Sequence, residues 1–290
     1  MQGNYPLKMQ ATSSLLRRAK PLLGTLVEVA CDAHDIDTDA ALHASEQAFA
    51  AVARVQCLMS RHEISSELSD INRLAPGVWL DSSTATLEVL CFAQTLSEHT
   101  AGVFDVFSTI PQAPVGGSWR DLELDVPNQR LCKFAPLQAD LGGIAKGYAV
   151  DIAVLALQSA GVVGGWANAG GDLRVFGTLT LPLQVRAPWN IADRLDCTDL
   201  CDQSAATSAS YWLEAPLLRH GVTQKPANAL ASYTVVADKC IAADALTKVL
   251  AATHDAQTEA PRRMFAALLD HYKAQAWVLP GLPNELPDHV

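Results

Sequence analysis

The sequence predicts an α+β fold in which helices pack in layers against mainly antiparallel sheets. Two kinds of pattern support this prediction: long stretches with apolar residues at helical spacing, and pairs of short alternating runs separated by turn residues. Helices and hairpins follow one another along the chain, which is typical of an α+β domain. With 290 residues and 49% hydrophobic content, the chain can bury a sizeable core. We expect residues 1–18 to be a disordered polar segment and residues 19–290 to form a single domain.

The first half of the chain predicts a strand, two long helices and a short helix between them. Residues 24–29 alternate in polarity as a strand does, and residues 37–59 carry apolar side chains at helical spacing. Ser66 is suited to cap a short helix. Residues 84–99 form a second amphipathic pattern, which Gly102 is expected to end as a C-cap glycine.

The second half predicts hairpins first and helices later. The runs DLELDV and QRLCKF are separated by turn residues and indicate a hairpin. The remaining predicted elements are strands at LPLQVRAP, SAATSASY, SYTVVAD and QAWVLP, and helices at 242–252 and 260–274.

The stretch between Asp140 and Gly177 predicts a site for a phosphate-containing ligand. A short apolar strand is expected to stop at Gly142 and Gly143, and a helix follows directly. A glycine turn that leads into a helix directs backbone N–H groups and the helix dipole at an anion. Lys146 lies in the first turn of that helix, where a cation is unfavourable unless an anion lies nearby. A second glycine pair ends in an aspartate at residues 168–172. Taken singly, these glycines are ordinary turn residues; together with the lysine they favour an anionic ligand.

Charge and composition exclude several classes of function. The net charge of −10 argues against binding to nucleic acid, because phosphate backbones need clustered Lys and Arg. Seven scattered cysteines without a CxxC pair fit a reducing compartment better than a disulfide framework. We find no apolar signal segment and no run long enough for a transmembrane segment, so the expected location is cytoplasmic. The alternative is that translation starts at a different codon, which could add an export signal.

Asp244 and Thr247 are candidates for binding a cation. Asp244 follows an apolar strand at the start of a helix, and Thr247 lies three residues later on the same helix face. Mg²⁺ prefers such oxygen ligands and often bridges them to substrate phosphates. The alternative is that Asp244 only caps its helix.

Six blocks of this sequence resemble the ApbE family, the FAD:protein FMN transferases, in the same order along the chain. The strongest block is a two-part signature, DLGGIAKGYAVD followed some twenty residues later by NAGGDLRVFG. The likeness extends through nearly the whole chain. The other segments that carry it are RRAKPLLGTLVEV, SSELSDINR, TAGVFDV, ATSASY and VVADKCIAADALTKVL.

The resemblance implies a T-fold-like architecture and a single ApbE-like catalytic domain at residues 19–290. It also implies a Mg²⁺-dependent enzyme that moves FMN from its substrate FAD to a Ser or Thr hydroxyl of an acceptor flavoprotein and releases AMP. The residues implied to contact FAD are Leu23, His62, Gly102, Val103, Phe104, Asp140 and Lys146. The implied Mg²⁺ ligands are Asp244, Thr247 and the backbone carbonyl of Gly143, and the candidates for the general base are Asp244 and His220.

The chain departs from the family pattern at two places. The family usually has a Thr four residues after its Asp, whereas this chain has Lys248 there and Thr247 one position earlier. The family segment His-Ile-Ile-Asp-Pro-x-Thr-Gly has no close copy, and His220 is its only local candidate. Two alternatives to the transferase therefore stay open: a non-catalytic FAD-binding protein, and a FAD diphosphatase that yields FMN and AMP.

Overall fold

The structure, a computed structural model, describes residues 15–32, 34, 36–107, 117–209, 221–223, 230–281 and 288–289. The helices are α1 (Thr38–Met59), α2 (Glu67–Arg73), α3 (Thr84–His99), α4 (Ala145–Ser159), α5 (Cys240–Thr253) and α6 (Glu259–Tyr272). The strands are β1 (Leu15–Leu22), β2 (Thr25–Asp32), β3 (Trp79–Asp81), β4 (Leu122–Asp125), β5 (Arg130–Lys133), β6 (Gly165–Ala169), β7 (Asp172–Phe176), β8 (Thr180–Ala187), β9 (Asn190–Cys201), β10 (Ser204–Ala209), β11 (Ser232–Ala237), β12 (Gln275–Leu279) and β13 (Asp288–His289).

The strands form one large sheet and two small ones. The large sheet has the order β1-β2-β6-β7-β10-β11-β12-β13, the second has the order β3-β5-β4, and β8 pairs with β9. Every strand pair among the described residues is antiparallel. The predicted α+β fold with mainly antiparallel sheets is therefore confirmed.

The two faces of the large sheet bury different partners. Successive residues of a strand point to opposite faces, so Val29 joins the main core under the helices and Ala30 joins a second core. The second core also contains Leu183 and Val185 of β8, which places the β8–β9 hairpin on the face opposite the helices. In the described part of the chain, none of the helices is both long and apolar enough to cross a membrane.

The strand predicted at residues 24–29 is β2, and the sequence did not predict the strand β1 that precedes it. β1 begins at Leu15, so residues 15–18, which we expected to be disordered, pair with β2 from Leu15 opposite Asp32 onward. The charged side chains of Arg17 and Arg18 suggested a polar leader. They are compatible with a strand because Arg18 forms an ion pair with Glu46 of α1 at 2.6 Å.

The strand predicted before Gly142 is absent from the described residues, and this prediction was wrong. Between β5 and α4 the chain is irregular, and side chains satisfy its backbone in place of a neighbouring strand. The side chain of Asn72 accepts from Ala139 N–H at 2.7 Å and donates to the Ala139 carbonyl at 3.0 Å. The buried Lys133 ammonium donates to the carbonyls of Asn72 and Leu137 at 3.2 and 2.8 Å, and burial lowers the pKa of this lysine.

Helices α4 and α5 approach each other so closely that only glycine fits at position 147. A Cβ added there would lie 2.3 Å from the Cys240 carbonyl oxygen and 2.7 Å from Cβ of Asp244. We therefore predict that Gly147→Ala lowers the free energy of unfolding by about 2 kcal/mol, although Gly→Ala inside a helix normally stabilises it.

Urea denaturation measures this effect, and Gln158→Ala on the exposed face of α4 is the control, with an expected change within about 0.5 kcal/mol. An unchanged or higher stability of Gly147→Ala would contradict the close approach of the two helices.

Candidate functional site

Two tight turns lie side by side at one end of the large sheet. Leu23 has a φ of 54° in the β1–β2 turn, and Gly170 and Gly171 have φ values of 65° and 108° in the β6–β7 turn. β2 pairs with β6 with Val27 opposite Ala169, so the two turns share an edge. A Cβ at Gly170 would lie 2.7 Å from Oγ1 of Thr25. The glycine therefore allows the two turns to touch.

Gln56 of α1 connects the first turn to the segment that contains His62. Its Oε1 accepts from Leu23 N–H at 2.7 Å, and its Nε2 donates to Glu63 Oε1 at 3.0 Å. His62 is exposed in this segment. Leu23 and His62, which the sequence placed with the cofactor, are thus held near each other by a single glutamine side chain.

Asp140 lies beside the segment that contains His62. Leu23, His62 and Asp140 together form what we call the rim of the site. Asp140 Oδ2 lies 3.4 Å from Nε of Arg61, the neighbour of His62, and Asp140 Oδ1 accepts from Gly142 N–H at 2.8 Å. Asp140 N–H donates to the Val106 carbonyl at 2.9 Å. The loop that precedes α4 is therefore attached both to the His62 segment and to the segment that follows α3.

The segment after α3 contains Gly102, Val103 and Phe104. Gly102 has a φ of 84° and donates to the Ser97 carbonyl at 2.8 Å, but it stands one position beyond the predicted capping place, because Ala101, with a φ of 50°, directly follows the cap residue Thr100. The Val103 carbonyl accepts from Gly221 N–H at 2.8 Å, and Phe104 is buried in the main core. Phe104 therefore anchors this segment to the main core.

Lys146 in the first turn of α4 is neutralised by two aspartates of the chain itself. Its ammonium forms an ion pair with Asp172, the last residue of the Gly-Gly-Asp turn, and lies 3.7 Å from Asp244 Oδ2. Both carboxylates are buried, while 34% of the Lys146 side chain is exposed. The negative charge that the sequence led us to expect near Lys146 is therefore partly supplied by Asp172 and Asp244. Part of the lysine side chain is still exposed.

The three residues predicted to bind Mg²⁺ come together around the side chain of Lys248. The Lys248 ammonium pairs with Asp244 Oδ1 and lies 3.1 Å from Thr247 Oγ1. Its aliphatic part packs on Gly143, where an added Cβ would be 3.4 Å from Cε of the lysine. The Thr247 hydroxyl also lies 2.7 Å from Oγ of Ser208 and donates to the Asp244 carbonyl at 2.7 Å. Within the described ranges, no three His, Cys, Asp or Glu side chains converge as a metal centre.

The charges of this cluster fix its protonation. Burial raises the pKa of Asp172, and the nearby Asp244 carboxylate raises it further. Burial also acts to raise the pKa of Asp244, but the charges of Lys146 and Lys248 outweigh it and lower that pKa. Burial acts against the charge of Lys146, yet Asp172 and Asp244 raise its pKa. Asp244 is therefore held as a carboxylate and Lys146 as an ammonium.

A second buried ion pair positions α5 and hence Asp244. The carboxylate of Asp151 in α4 accepts from the N–H groups of Cys240 and Ile241 at 3.0 and 2.9 Å, which are orphan donors at the start of α5. The same carboxylate pairs with Arg174 of β7 at 2.6 Å. Asp151 thus connects α4, α5 and the large sheet.

The sequence identified most residues of the rim but not the residues that hold them in place. Asp172 and Asp151 belong to the two motifs that carried the resemblance, yet only their contacts across the fold indicate their roles. Lys248 was noted only as a departure. His220, the second candidate base, lies outside the described residues.

We predict that Asp151→Asn lowers the free energy of unfolding by about 3 kcal/mol, because it leaves the mostly buried Arg174 without its counter-charge. The matched control is Asp70→Asn in α2, which removes an exposed ion pair with Arg73 and should cost less than about 1 kcal/mol. Equal losses in urea denaturation would contradict a special role for Asp151.

Comparison with known proteins shows the family and the fold of the chain. The profile of the ApbE family matches residues 23–110 and 108–266. A FAD:protein FMN transferase of Vibrio cholerae serotype O1 is 29% identical over 226 residues, which cover 65% of this chain and 66% of that relative's length.

The fold is also that of solved structures. The apo flavinyl transferase ApbE of Pseudomonas stutzeri matches with a TM-score of 0.78 at 19% identity, over 96% of this chain and 94% of that one. The ApbE protein of Thermotoga maritima matches with a TM-score of 0.78 at 21% identity, over 95% and 97%. With a family match over most of its length and the same fold as these structures, this chain belongs to the ApbE family.

Proposed function

We propose that this protein is a FAD:protein FMN transferase, which moves FMN from FAD to a Ser or Thr hydroxyl of an acceptor flavoprotein and releases AMP. Family membership and the name of the Vibrio cholerae relative support this proposal. The observation that carries it is the placement of Lys146, a partly exposed ammonium in the first turn of α4 beside Gly143. In the proposal residues 19–290 act as one catalytic domain, since the large sheet contains strands from both ends of this range. The cytoplasmic location stays a prediction.

The FAD diphosphate would bind at the N-terminus of α4. Among the described residues, the N-cap residue Ile144 makes no side-chain cap, although Ala145 N–H donates to the Leu141 carbonyl at 2.8 Å and Gly147 N–H donates to Asp244 Oδ2 at 3.0 Å. The helix dipole favours an anion at this end of α4, and Lys146 adds a full positive charge. Leu23, His62 and Asp140 on the neighbouring rim would position the flavin nucleotide.

The transfer is a displacement at phosphorus. The oxygen of the acceptor hydroxyl forms a bond to the phosphorus of the FMN half, and the bond from that phosphorus to the bridging oxygen breaks. AMP leaves with the bridging oxygen, and the hydroxyl proton passes to a base. Lys146 stabilises the negative charge that develops on the phosphoryl oxygens, which is the main contribution a protein makes to this reaction.

Asp244 is better suited to holding charge than to accepting this proton. Both of its oxygens are engaged, Oδ1 by Lys248 and Oδ2 by Gly147 N–H at 3.0 Å, and its lowered pKa disfavours protonation. We therefore assign Asp244 to fixing the two lysines. A role of His220 as the base stays a prediction.

The predicted Mg²⁺ site does not fit a divalent ion as the residues are folded. The two side-chain oxygens of its donor set, Asp244 Oδ1 and Thr247 Oγ1, already contact the Lys248 ammonium. Mg²⁺ needs near-octahedral oxygen ligands at about 2.1 Å, and a cation on the same two side-chain oxygens would repel it strongly. Mg²⁺ dependence stays a prediction.

We predict that the purified protein binds FAD and, with an acceptor that the Vibrio cholerae relative flavinylates in a parallel reaction, releases AMP and yields a fluorescent acceptor band. Lys146→Gln should weaken FAD binding by about tenfold or more, because it removes the charge facing the diphosphate. Titration calorimetry measures binding, and chromatography follows AMP.

Lys239→Gln, which removes an exposed lysine just before α5, is the control and should leave both readouts unchanged. AMP release without an acceptor would indicate a FAD diphosphatase. Binding without AMP would leave a non-catalytic FAD-binding protein, and absence of binding would refute the proposal.

A further inference from the structure

We propose that the Lys248 ammonium acts as a built-in cation at the Asp244 and Thr247 oxygens, so that this chain binds the FAD diphosphate without a divalent metal ion. The inference rests on the proposed function, since it concerns how the same site holds its substrate. In this proposal the side chain of Lys248 supplies the positive charge that a bound metal ion would otherwise supply.

The Lys248 ammonium lies among the residues predicted to bind the metal. Lys248 lies beside each of the three residues predicted to bind the metal: it forms an ion pair with Asp244, its ammonium is 3.1 Å from the Thr247 hydroxyl, and its aliphatic carbons would be in van der Waals contact with a Cβ added at Gly143. An exposed helical lysine that only paired with an aspartate four residues earlier would need no contact with the other two.

The Lys248 side chain is partly exposed, although the two residues that it contacts are buried. Asp244 and Thr247 are fully buried, whereas 19% of the Lys248 side chain remains exposed. An ammonium has three donors, and the contacts with Asp244 and Thr247 use two of them. The third is available for a phosphate oxygen that arrives from the exposed side.

The two lysines of the cluster balance the charge of its two aspartates. Asp172 and Asp244 are compensated by Lys146 and Lys248, so the four side chains sum to zero without a metal. Replacing Lys248 by threonine would restore a hydroxyl at the position where the family usually has one and would leave the cluster with one net negative charge. That variant should need an added cation before it can accept a diphosphate.

The test measures FAD affinity by titration calorimetry in excess EDTA and in excess MgCl₂. The wild-type protein should bind FAD with the same affinity in both, within about twofold. Lys248→Thr should bind about tenfold or more weakly in EDTA and recover in MgCl₂. Lys239→Thr, at an exposed lysine outside the cluster, should behave as the wild type.

A second readout does not involve flavin. Mn²⁺ titrated into the proteins and followed by electron paramagnetic resonance should bind to Lys248→Thr and not to the wild type. Lys248→Gln, which keeps a polar side chain without the charge, serves if the threonine variant does not fold.

The outcomes separate the two proposals. FAD binding by the wild type that falls about tenfold in EDTA and returns with MgCl₂ would overturn the built-in cation and leave the transferase intact. Metal-independent binding by Lys248→Thr would also overturn it, because the lysine would then be only structural. Failure of the wild type to bind FAD under either condition would remove the proposed function and this inference with it.

Discussion

The burial of two carboxylates between two lysines is the interaction on which the rest of the site depends. Asp172 and Asp244 are removed from water, and buried carboxylates persist only when they are paired and hydrogen-bonded. Lys146 pairs with Asp172 and lies beside Asp244, and Lys248 pairs with Asp244. Because these four side chains come from α4, the β6–β7 turn and α5, their pairing fixes three elements relative to one another.

The neighbouring packing makes this pairing possible. Gly147 allows α5 to lie against α4 so closely that Asp244 Oδ2 accepts from the backbone of α4. Asp151 then holds the first turn of α5 through its N–H groups and connects it to the sheet through Arg174. Side chains that do not touch a ligand thus determine where the lysines stand, and rigid placement of this kind is what phosphoryl transfer requires of a protein.

The sequence predicted the features that depend on neighbours along the chain. Helical spacing located α1, α3 and α4, and the glycine turns located the rim. It failed where long-range contacts decide the structure. The segment before Gly142 is apolar like a strand, but the Asn72 side chain, 67 positions from Ala139, satisfies its backbone. The spacing of apolar residues along the chain gives no sign that the Asn72 side chain is the hydrogen-bond partner of Ala139.

The same reason explains what was missed in the site. Lys146 was conspicuous because a lysine is unfavourable in a first helical turn. Its partner Asp172 lies 26 positions away, and Gly147 meets Asp244 across 97 positions. Lys248 was visible as a departure from the family pattern, but only the fold shows that its ammonium stands among the oxygens of Asp244 and Thr247.

The most direct measurement is a crystal structure of the protein with FAD and Mn²⁺, with an anomalous difference map that locates the metal. We predict a diphosphate at the N-terminus of α4 beside Lys146, the Lys248 ammonium on Asp244, and no anomalous peak at that carboxylate. A manganese peak between Asp244 and Thr247, with the Lys248 side chain turned away, would contradict the account.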